Sequence, residues 1–150
     1  MKKPEVIILC GLPCSGKSTF CNAMEFDNHL HLSTDAYIEQ VAKLNKKTYN
    51  DVWASTIKEA VKVFFAMMNV AATTNRNVII DQTNLSVATR KLKIDLFKNH
   101  HPIIAYFDRP FELINQRNNR PGKTIPDYVL ASMHEQLQPP TSEEAEVWTL

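Results

Sequence analysis

The segment from Gly11 to Ser18 has the pattern G-x-x-x-x-G-K-[ST], which is the spacing of a phosphate-binding loop. A short apolar run precedes it at 6–10 and the residues after it can form a helix, so the motif has the strand–loop–helix context that it requires. Glycines let backbone N–H groups approach phosphate oxygens closely, and a helix start adds partial positive charge. The sequence predicts that nucleotide phosphates bind to these residues: Gly11, Leu12, Pro13, Cys14, Ser15, Gly16, Lys17, Ser18 and Thr19.

Two side chains of this loop could act on a nucleoside triphosphate. The ammonium group of Lys17 can reach the β- and γ-phosphates, and the hydroxyl of Ser18 is placed to bind Mg²⁺. We therefore expect ATP and Mg²⁺ as ligands. Because GTPases, motors, ATP-binding regulators and kinases all contain such loops, the other polar residues must decide among these classes.

Asp35 follows the second predicted strand, in the sequence LSTDAY. A carboxylate at the carboxyl end of a parallel strand lies in the ligand crevice, where it can accept a proton from a hydroxyl group that receives a phosphoryl group. The alternative is a structural role, in which Thr34 or Asp35 caps the following helix.

A second polar cluster, D-x-T-N, follows the apolar run at 78–80. Asp81 occupies a position where proteins with this loop often keep a carboxylate near the metal, and Thr83 and Asn84 could bind the acceptor beside it. For Thr83 and Asn84 the alternative is an Asx-type turn into the next helix. Asp108, at the end of another apolar run, is followed by Arg109 and Pro110 and is predicted to be structural.

Arg117 and Arg120 lie three residues apart and lead into the turn-rich segment NNRPGKTIP, residues 118–126. Guanidinium groups on a loop that closes over the site could bind the transferred phosphoryl group. We predict a lid at about 117–126. The alternative is a solvated helix end that favours positive charge.

The pattern of apolar and polar residues between these motifs indicates the fold. Unbroken apolar runs predict buried strands at 6–10, 78–81 and 103–107, with weaker candidates at 29–33 and 147–150. Helices are predicted at 16–25, 35–45, 51–72, 86–98, 111–119 and 126–136. This alternation predicts an α/β three-layer sandwich of the P-loop type, with a mainly parallel sheet of about five strands and helices on both faces.

One helical stripe is predicted to be core. In 51–72 the apolar side chains recur at steps of three and four residues: Trp53, Ile57, Ala60, Val61, Phe64, Met67, Met68 and Ala71.

Composition sets limits on the class of protein. The 150 residues suit one domain, expected to span 1–150, and the net charge of +1 gives no global basic field for a polyanion. Positive charge is instead concentrated in the segment 87–123. The three cysteines have no C-x-x-C pair, so reduced thiols and a cytoplasmic location are expected. The N-terminal apolar run is too short to span a membrane.

Taken together, the segments GLPCSGKST, STDAY, DQTNLS, YFDRPFELINQRNNRPGKTIPDYVL and PPTSEEAEVW resemble the kinase domain of the phage and bacterial polynucleotide 5′-hydroxyl kinases. The resemblance implies transfer of the γ-phosphate of ATP to the 5′-hydroxyl end of DNA or RNA. It implies that Lys17 and Ser18 bind phosphate and metal, that Asp35 is the general base and that Asp81 organises the acceptor side. It also implies that Arg117 and Arg120 belong to the lid, and it leaves no room for the phosphatase that some family members append.

The chain departs from that family in two places. Ile38 stands where the family commonly has an arginine, and Arg90 or Lys91 could compensate for it at the acceptor. The lid arginines are three rather than four residues apart, which makes Lys123 a rival to Arg120. Two other functions stay open: a kinase acting on a nucleoside, a small molecule or a hydroxymethylated base in DNA, and a non-catalytic ATP-binding module.

Overall fold

The computed structural model describes residues 2–23 and 28–150. Its strands are β1 (Glu5–Cys10), β2 (His29–Ser33), β3 (Asn77–Asp81), β4 (His101–Tyr106) and β5 (Glu146–Thr149). Its helices are α1 (Lys17–Ala23), α2 (Thr34–Leu44), α3 (Tyr49–Ala71), α4 (Val87–Leu96), α5 (Phe111–Arg117) and α6 (Asp127–Gln136). Each predicted strand and helix is found, with ends that differ by a few residues. The last two residues of the helix predicted at 16–25 lie outside the described residues.

The five strands form one parallel sheet in the order β2-β3-β1-β4-β5. β1 lies at its centre, and every residue from Val6 to Cys10 is buried. A strand covered on both faces needs apolar residues at every position, which explains the unbroken run in the sequence. The predicted fold class is confirmed.

Successive residues of β1 face opposite layers. Val6 and Ile8 pack in a cluster with Phe64 of α3, Leu96 of α4 and Phe97, which follows α4. The residues between and after them, such as Ile7, belong to a second cluster in which α1 takes part. Two layers of helix therefore hold β1 rigidly, and the loop that follows it starts from a fixed point.

The buried stripe of α3 differs from the predicted one. Its buried residues are Val52, Thr56, Ala60, Phe64, Met68 and Ala71. Trp53 and Met67, which we predicted to be core, are 43% and 49% exposed. The N-terminal half of α3 packs against α2 and its C-terminal half packs on the sheet, so the buried face is set by two different neighbours. Trp53 faces a cleft instead.

None of the helices in the described ranges is long and apolar enough to cross a membrane. The three cysteines, which all lie in these ranges, are free thiols.

Arg90 has a structural role, and the prediction that it binds the acceptor is wrong. Its side chain is fully buried, and its guanidinium group forms an ion pair with Glu144, at 2.9 Å from Nε to Oε1. It also donates to the backbone carbonyl groups of Asn84, Leu85 and Gln138. The N–H groups on each of its three nitrogens donate to these partners. The bonds thereby connect the turn after β3 to the segment before β5.

Replacing Arg90 should therefore reduce stability. In Arg90→Met, Glu144 and three carbonyl groups lose their partner, so the free energy of unfolding should fall by about 3–5 kcal/mol in a urea titration. Lys91→Met is the matched control, since Lys91 is exposed and pairs only with Asp95 one turn away. An Arg90→Met protein as stable as the wild type would contradict the structural role.

Candidate functional site

A large cleft opens where β1, β2 and β3 end, and its volume is about 1480 Å³. That is more than the roughly 300–1,000 Å³ typical of a pocket for one small ligand, so the cleft has room for two substrates side by side. Its walls come from the loop after β1, the D-x-T-N turn, the first turns of α3 and the segment 117–126. Six basic side chains line it: Lys17, Lys93, Arg109, Arg117, Arg120 and Lys123.

The loop after β1 has the curvature of a phosphate-binding loop. Cys14 and Gly16 have φ angles of 65° and 103°, and such left-handed residues turn successive N–H groups toward a common centre. A Cβ atom on Gly11 would lie 2.8 Å from Ser15 Oγ and 3.0 Å from Phe107 Cβ, so no other residue fits there. The Ser15 hydroxyl is buried without a hydrogen-bond partner, which leaves a polar group of the loop unused.

Lys17 lies inside this loop. Its ammonium group donates to the carbonyl groups of Gly11 and Leu12, both at 2.8 Å. Burial lowers the pKa of Lys17 to about 8, against the opposing effect of the Asp81 and Asp35 charges. A half-buried cation whose pKa is lowered in this way is stabilised by a polyanion, and the phosphate oxygens of a nucleotide can supply that charge.

Asp35 does not cap α2. The cap is Ser33, whose Oγ accepts the N–H of Ala36 at 3.1 Å, and the other candidate, Thr34, accepts a hydrogen bond from Gln82. The side chain of Asp35 is 58% exposed and lines the cleft. The capping alternative is therefore wrong for both residues.

Two neighbours orient the Asp35 carboxylate. The Tyr49 hydroxyl donates to Oδ1 at 2.7 Å, and Lys123 Nζ lies 3.9 Å from Oδ2. Burial, together with the Asp35 charge, raises the pKa of Tyr49 well above its usual range, so this hydroxyl stays protonated and remains a donor. Trp53 lies one turn further along α3 and lines the same cleft. The other carboxylate oxygen of Asp35, Oδ2, is therefore available in the cleft, with the Lys123 ammonium group beside it.

Asp81 lies at the end of β3 and is largely buried. Its Oδ2 is 2.8 Å from His31 Nε2, and this bond, together with the neighbouring Cys21 side chain, raises the pKa of His31 to about 10. Asp81 also acts on Lys17, whose pKa its charge raises. The carboxylate therefore connects the phosphate loop to β2.

Asn84 holds the D-x-T-N turn in place, and its buried side chain borders the cleft. Its amide donates to the carbonyl of Leu9 at 2.6 Å, and its Oδ1 accepts from Lys93. These bonds occupy both ends of a buried side chain whose backbone has a φ of 46°. Thr83 does line the cleft, and its carbonyl accepts the N–H of Gly11 at 3.0 Å.

The predicted lid segment lies across the cleft. Arg117 donates to the carbonyl of Cys14 in the phosphate loop at 3.2 Å. Arg120 lines the cleft with a buried Nε that has no hydrogen-bond partner. Lys123 bonds to Glu39. The structure thus brings all three cations of the segment to the cleft, with Arg117 toward the phosphate loop and Lys123 toward Asp35.

Asn50 fastens this segment to α3. Its side chain accepts the N–H of Thr124 at 2.8 Å and donates to the Thr124 carbonyl at 3.0 Å. Its backbone N–H, which has no acceptor inside the first turn of a helix, donates to the Gly122 carbonyl at 2.9 Å. Gly122 has a φ of 75° and lies so close to Thr48 that a Cβ atom would be only 3.0 Å away.

Neither Ile38, which stands where polynucleotide kinases commonly have an arginine, nor Lys91, which could have compensated for it, contributes charge to the cleft. Ile38 is fully buried between α2 and α3. Lys91 is exposed, pairs with Asp95 and does not line the cleft. Five basic residues of the stretch 87–123 line the cleft, namely Lys93, Arg109, Arg117, Arg120 and Lys123, whereas Arg90 is fully buried and Lys91 is exposed outside it.

Sequence reasoning missed several residues of the cleft, namely Tyr49, Asn50, Trp53, Glu39, Lys93, Cys21 and His31. Tyr49 and Trp53 lie one helical turn apart, but that spacing equally predicts a buried stripe. The other five carry no motif, because what brings them to the cleft is packing between elements far apart in the sequence.

Comparison with known proteins places this cleft in a family. The family profile AAA_33, an AAA domain, matches residues 6–140. L-seryl-tRNA(Sec) kinase from Methanococcus maripaludis is 29% identical over 155 residues, which cover 97% of this chain and 56% of that protein. The chain thus spans little more than half the length of this curated relative.

Solved structures agree on the fold. In the structure of the Pnkp1/Rnl/Hen1 RNA repair complex, one chain is 25% identical and superposes with a TM-score of 0.68, covering 92% of this chain and 45% of its own. A gluconokinase from Sinorhizobium meliloti 1021 is 18% identical with a TM-score of 0.61, covering 99% of this chain and 84% of its own. Because the profile covers most of the described cleft, from β1 to the residues after α6, the chain belongs to the AAA_33 family of AAA domains.

Proposed function

We propose that the protein is an ATP- and Mg²⁺-dependent kinase that transfers the γ-phosphate of ATP to a 5′-hydroxyl end of DNA or RNA. One observation carries the proposal: Asp35 is exposed, oriented and free of a capping role in the same cleft as Lys17. A phosphate-binding lysine and an available carboxylate in one cleft are what transfer to a hydroxyl requires. A non-catalytic ATP-binding module needs only the lysine.

The nucleotide side is formed by the phosphate loop. Its left-handed turns and the unused Ser15 hydroxyl fit an oxyanion, and Lys17 would place its charge on the β- and γ-phosphates. Mg²⁺ neutralises charge on the transferred group when it is bound, and the exposed Ser18 hydroxyl is the oxygen that would hold it. Arg117, already bonded to the loop, would approach the same phosphates from the lid.

The acceptor side is formed around Asp35. Tyr49 holds Oδ1 by donating to it, so that Oδ2 can take up the proton of an acceptor hydroxyl. Trp53 presents a half-exposed aromatic face beside this group, in line with Ile57 and Val61 along the wall of the cleft. An aromatic face of this kind binds a base by stacking without selecting its identity. The acceptor is then the terminal nucleotide of a strand.

The relatives support an acceptor hydroxyl carried by a nucleic acid. One relative is named as a kinase of a seryl-tRNA, and a chain similar to this one belongs to an RNA repair complex. The second candidate function is a kinase of a small-molecule hydroxyl, such as a sugar. It is favoured by Ile38, which is buried and apolar where a cation would otherwise help to hold an acceptor phosphate.

The pKa of Lys17 makes nucleotide binding depend on pH. Phosphates would raise this pKa from about 8, so binding takes up a proton and affinity is highest below pH 8. Above that value the affinity of a fluorescent ATP analogue should fall by up to about tenfold per pH unit. Lys17→Arg stays charged over this pH range, so its binding should show a flat profile. An equal slope in the arginine variant would contradict this assignment.

Removing the charge of Asp35 should impair transfer. With labelled ATP and a 5′-hydroxyl oligonucleotide, Asp35→Asn should lower kcat by about 10²–10⁴-fold while nucleotide affinity stays close to that of the wild type. Asp108→Asn is the control, since this carboxylate also follows a strand end but does not line the cleft. A loss of less than tenfold would leave Asp35 with a positioning role only.

Trp53 distinguishes a base-bearing acceptor from other hydroxyl compounds. Stacking contributes about 1–3 kcal/mol per base, so Trp53→Ala should raise the KM for a 5′-hydroxyl strand roughly tenfold, and Trp53→Phe should restore it. Phe65→Ala is the control, because Phe65 lies on the same helix and is equally exposed but outside the cleft. Transfer to nucleosides or sugars in preference to strands, with little salt dependence, would favour the second candidate.

A further inference from the structure

Cys21, His31 and Asp81 meet at one edge of the cleft, although they come from α1, β2 and the end of β3. Their ligand atoms, one thiol sulfur, one imidazole nitrogen and one carboxylate oxygen, all lie within 4.8 Å of one another. The pair His31–Asp81 is already at 2.8 Å. Nothing in the proposed transfer reaction uses the thiol or the imidazole.

These three ligand types together select the kind of cation. Thiolate, imidazole and carboxylate are the protein ligands of Zn²⁺, whereas Mg²⁺ takes oxygen ligands and a shell of water. A cation held here is thus chemically different from the one expected at Ser18. The sulfur ligand is the discriminating one, since soft thiolates favour zinc over hard divalent ions.

The ligand atoms lie within about an ångström of the spacing that zinc requires. Tetrahedral zinc, with bonds of about 2.0–2.3 Å, sets its ligands about 3.3–3.6 Å apart. The histidine nitrogen and the carboxylate oxygen, now 2.8 Å apart, must therefore separate by about half an ångström, and the sulfur, which lies within 4.8 Å of both, must reach the same spacing. Their backbones are well fixed, because β2 and β3 are hydrogen-bonded neighbours in which Ser33 is paired with Asp81.

The surroundings leave room for a fourth ligand. All three side chains line the cleft, so the remaining coordination position of a tetrahedral ion is accessible from it. Three protein ligands and one open position form the common arrangement of reactive zinc sites, as opposed to closed structural sites with four protein ligands.

We propose that Cys21, His31 and Asp81 form a three-ligand site for Zn²⁺ that opens into the cleft. The bound ion joins α1 to β2 and β3 and engages the carboxylate that otherwise acts on Lys17. Metal binding at this site can be tested separately from the proposed kinase activity, because its ligands and its occupant can be measured without ATP or an acceptor.

The test is titration of the metal-free protein with ZnCl₂ by calorimetry, in a buffer that does not bind metals. The wild type should bind one ion. Cys21→Ser and His31→Asn should each weaken zinc binding at least about 100-fold, because loss of a direct ligand should cost more than the roughly 10–100-fold lost with a residue that only hydrogen-bonds a ligand. Cys14→Ser is the matched control, since Cys14 also lines the cleft but belongs to no such cluster. Binding that is unchanged in Cys21→Ser, or lost in Cys14→Ser, would overturn the proposal.

Co²⁺ gives a second measurement that needs no variant. On the wild-type protein it should show the near-ultraviolet charge-transfer band of a thiolate ligand and the visible spectrum of a tetrahedral ion. Co²⁺ binding without the thiolate band would overturn the proposal even if a variant failed to fold. Loss of kinase activity in Asp35→Asn together with an intact zinc titration would separate the two proposals.

Discussion

The buried ammonium group of Lys17 is the charge around which the cleft is arranged. Burial alone makes the charged form unfavourable, and the two carbonyl groups it contacts are weak compensation for a full charge. Asp81 and Asp35 provide opposite charge from two strand ends, and each has another partner of its own. The free protein therefore holds a cation that its own side chains do not fully balance, and a phosphate chain supplies the missing negative charge.

That arrangement depends on a rigid support beneath the phosphate loop. The loop begins at the end of β1, and its first amide is bonded to the carbonyl of Thr83 in the turn after β3. The same turn is held by Asn84, which reaches back to β1, and by the buried Lys93. Because a phosphate-binding loop must keep its N–H groups aimed at one point, two adjacent strands that are joined at their ends are a better support than one.

The lid and the acceptor side form one unit. Asn50 and Tyr49 are consecutive residues at the start of α3, where Asn50 holds the lid backbone and Tyr49 orients Asp35. Lys123 of the lid reaches the same carboxylate from the other side. A movement of the segment 117–126 therefore changes the surroundings of Asp35 and of the phosphate loop together, which is how closure over a nucleotide would be linked to the position of the acceptor.

The sequence by itself determined the fold class, the phosphate loop and the position of Asp35, because each of these depends on local pattern: unbroken apolar runs, glycine spacing and a carboxylate after a strand. Only the tertiary structure decided which polar and aromatic residues face the cleft. Arg90 and Asn84 have polar side chains of the kind that often bind ligands. Packing buries both, and a buried polar group must be hydrogen-bonded within the protein. Trp53 has the spacing of a core residue, but the N-terminal half of α3 packs against α2 and not on the sheet, and Trp53 borders the cleft. Cys21, His31 and Asp81 are separated by 10 and 50 residues in the sequence, and only the order of the strands brings them together.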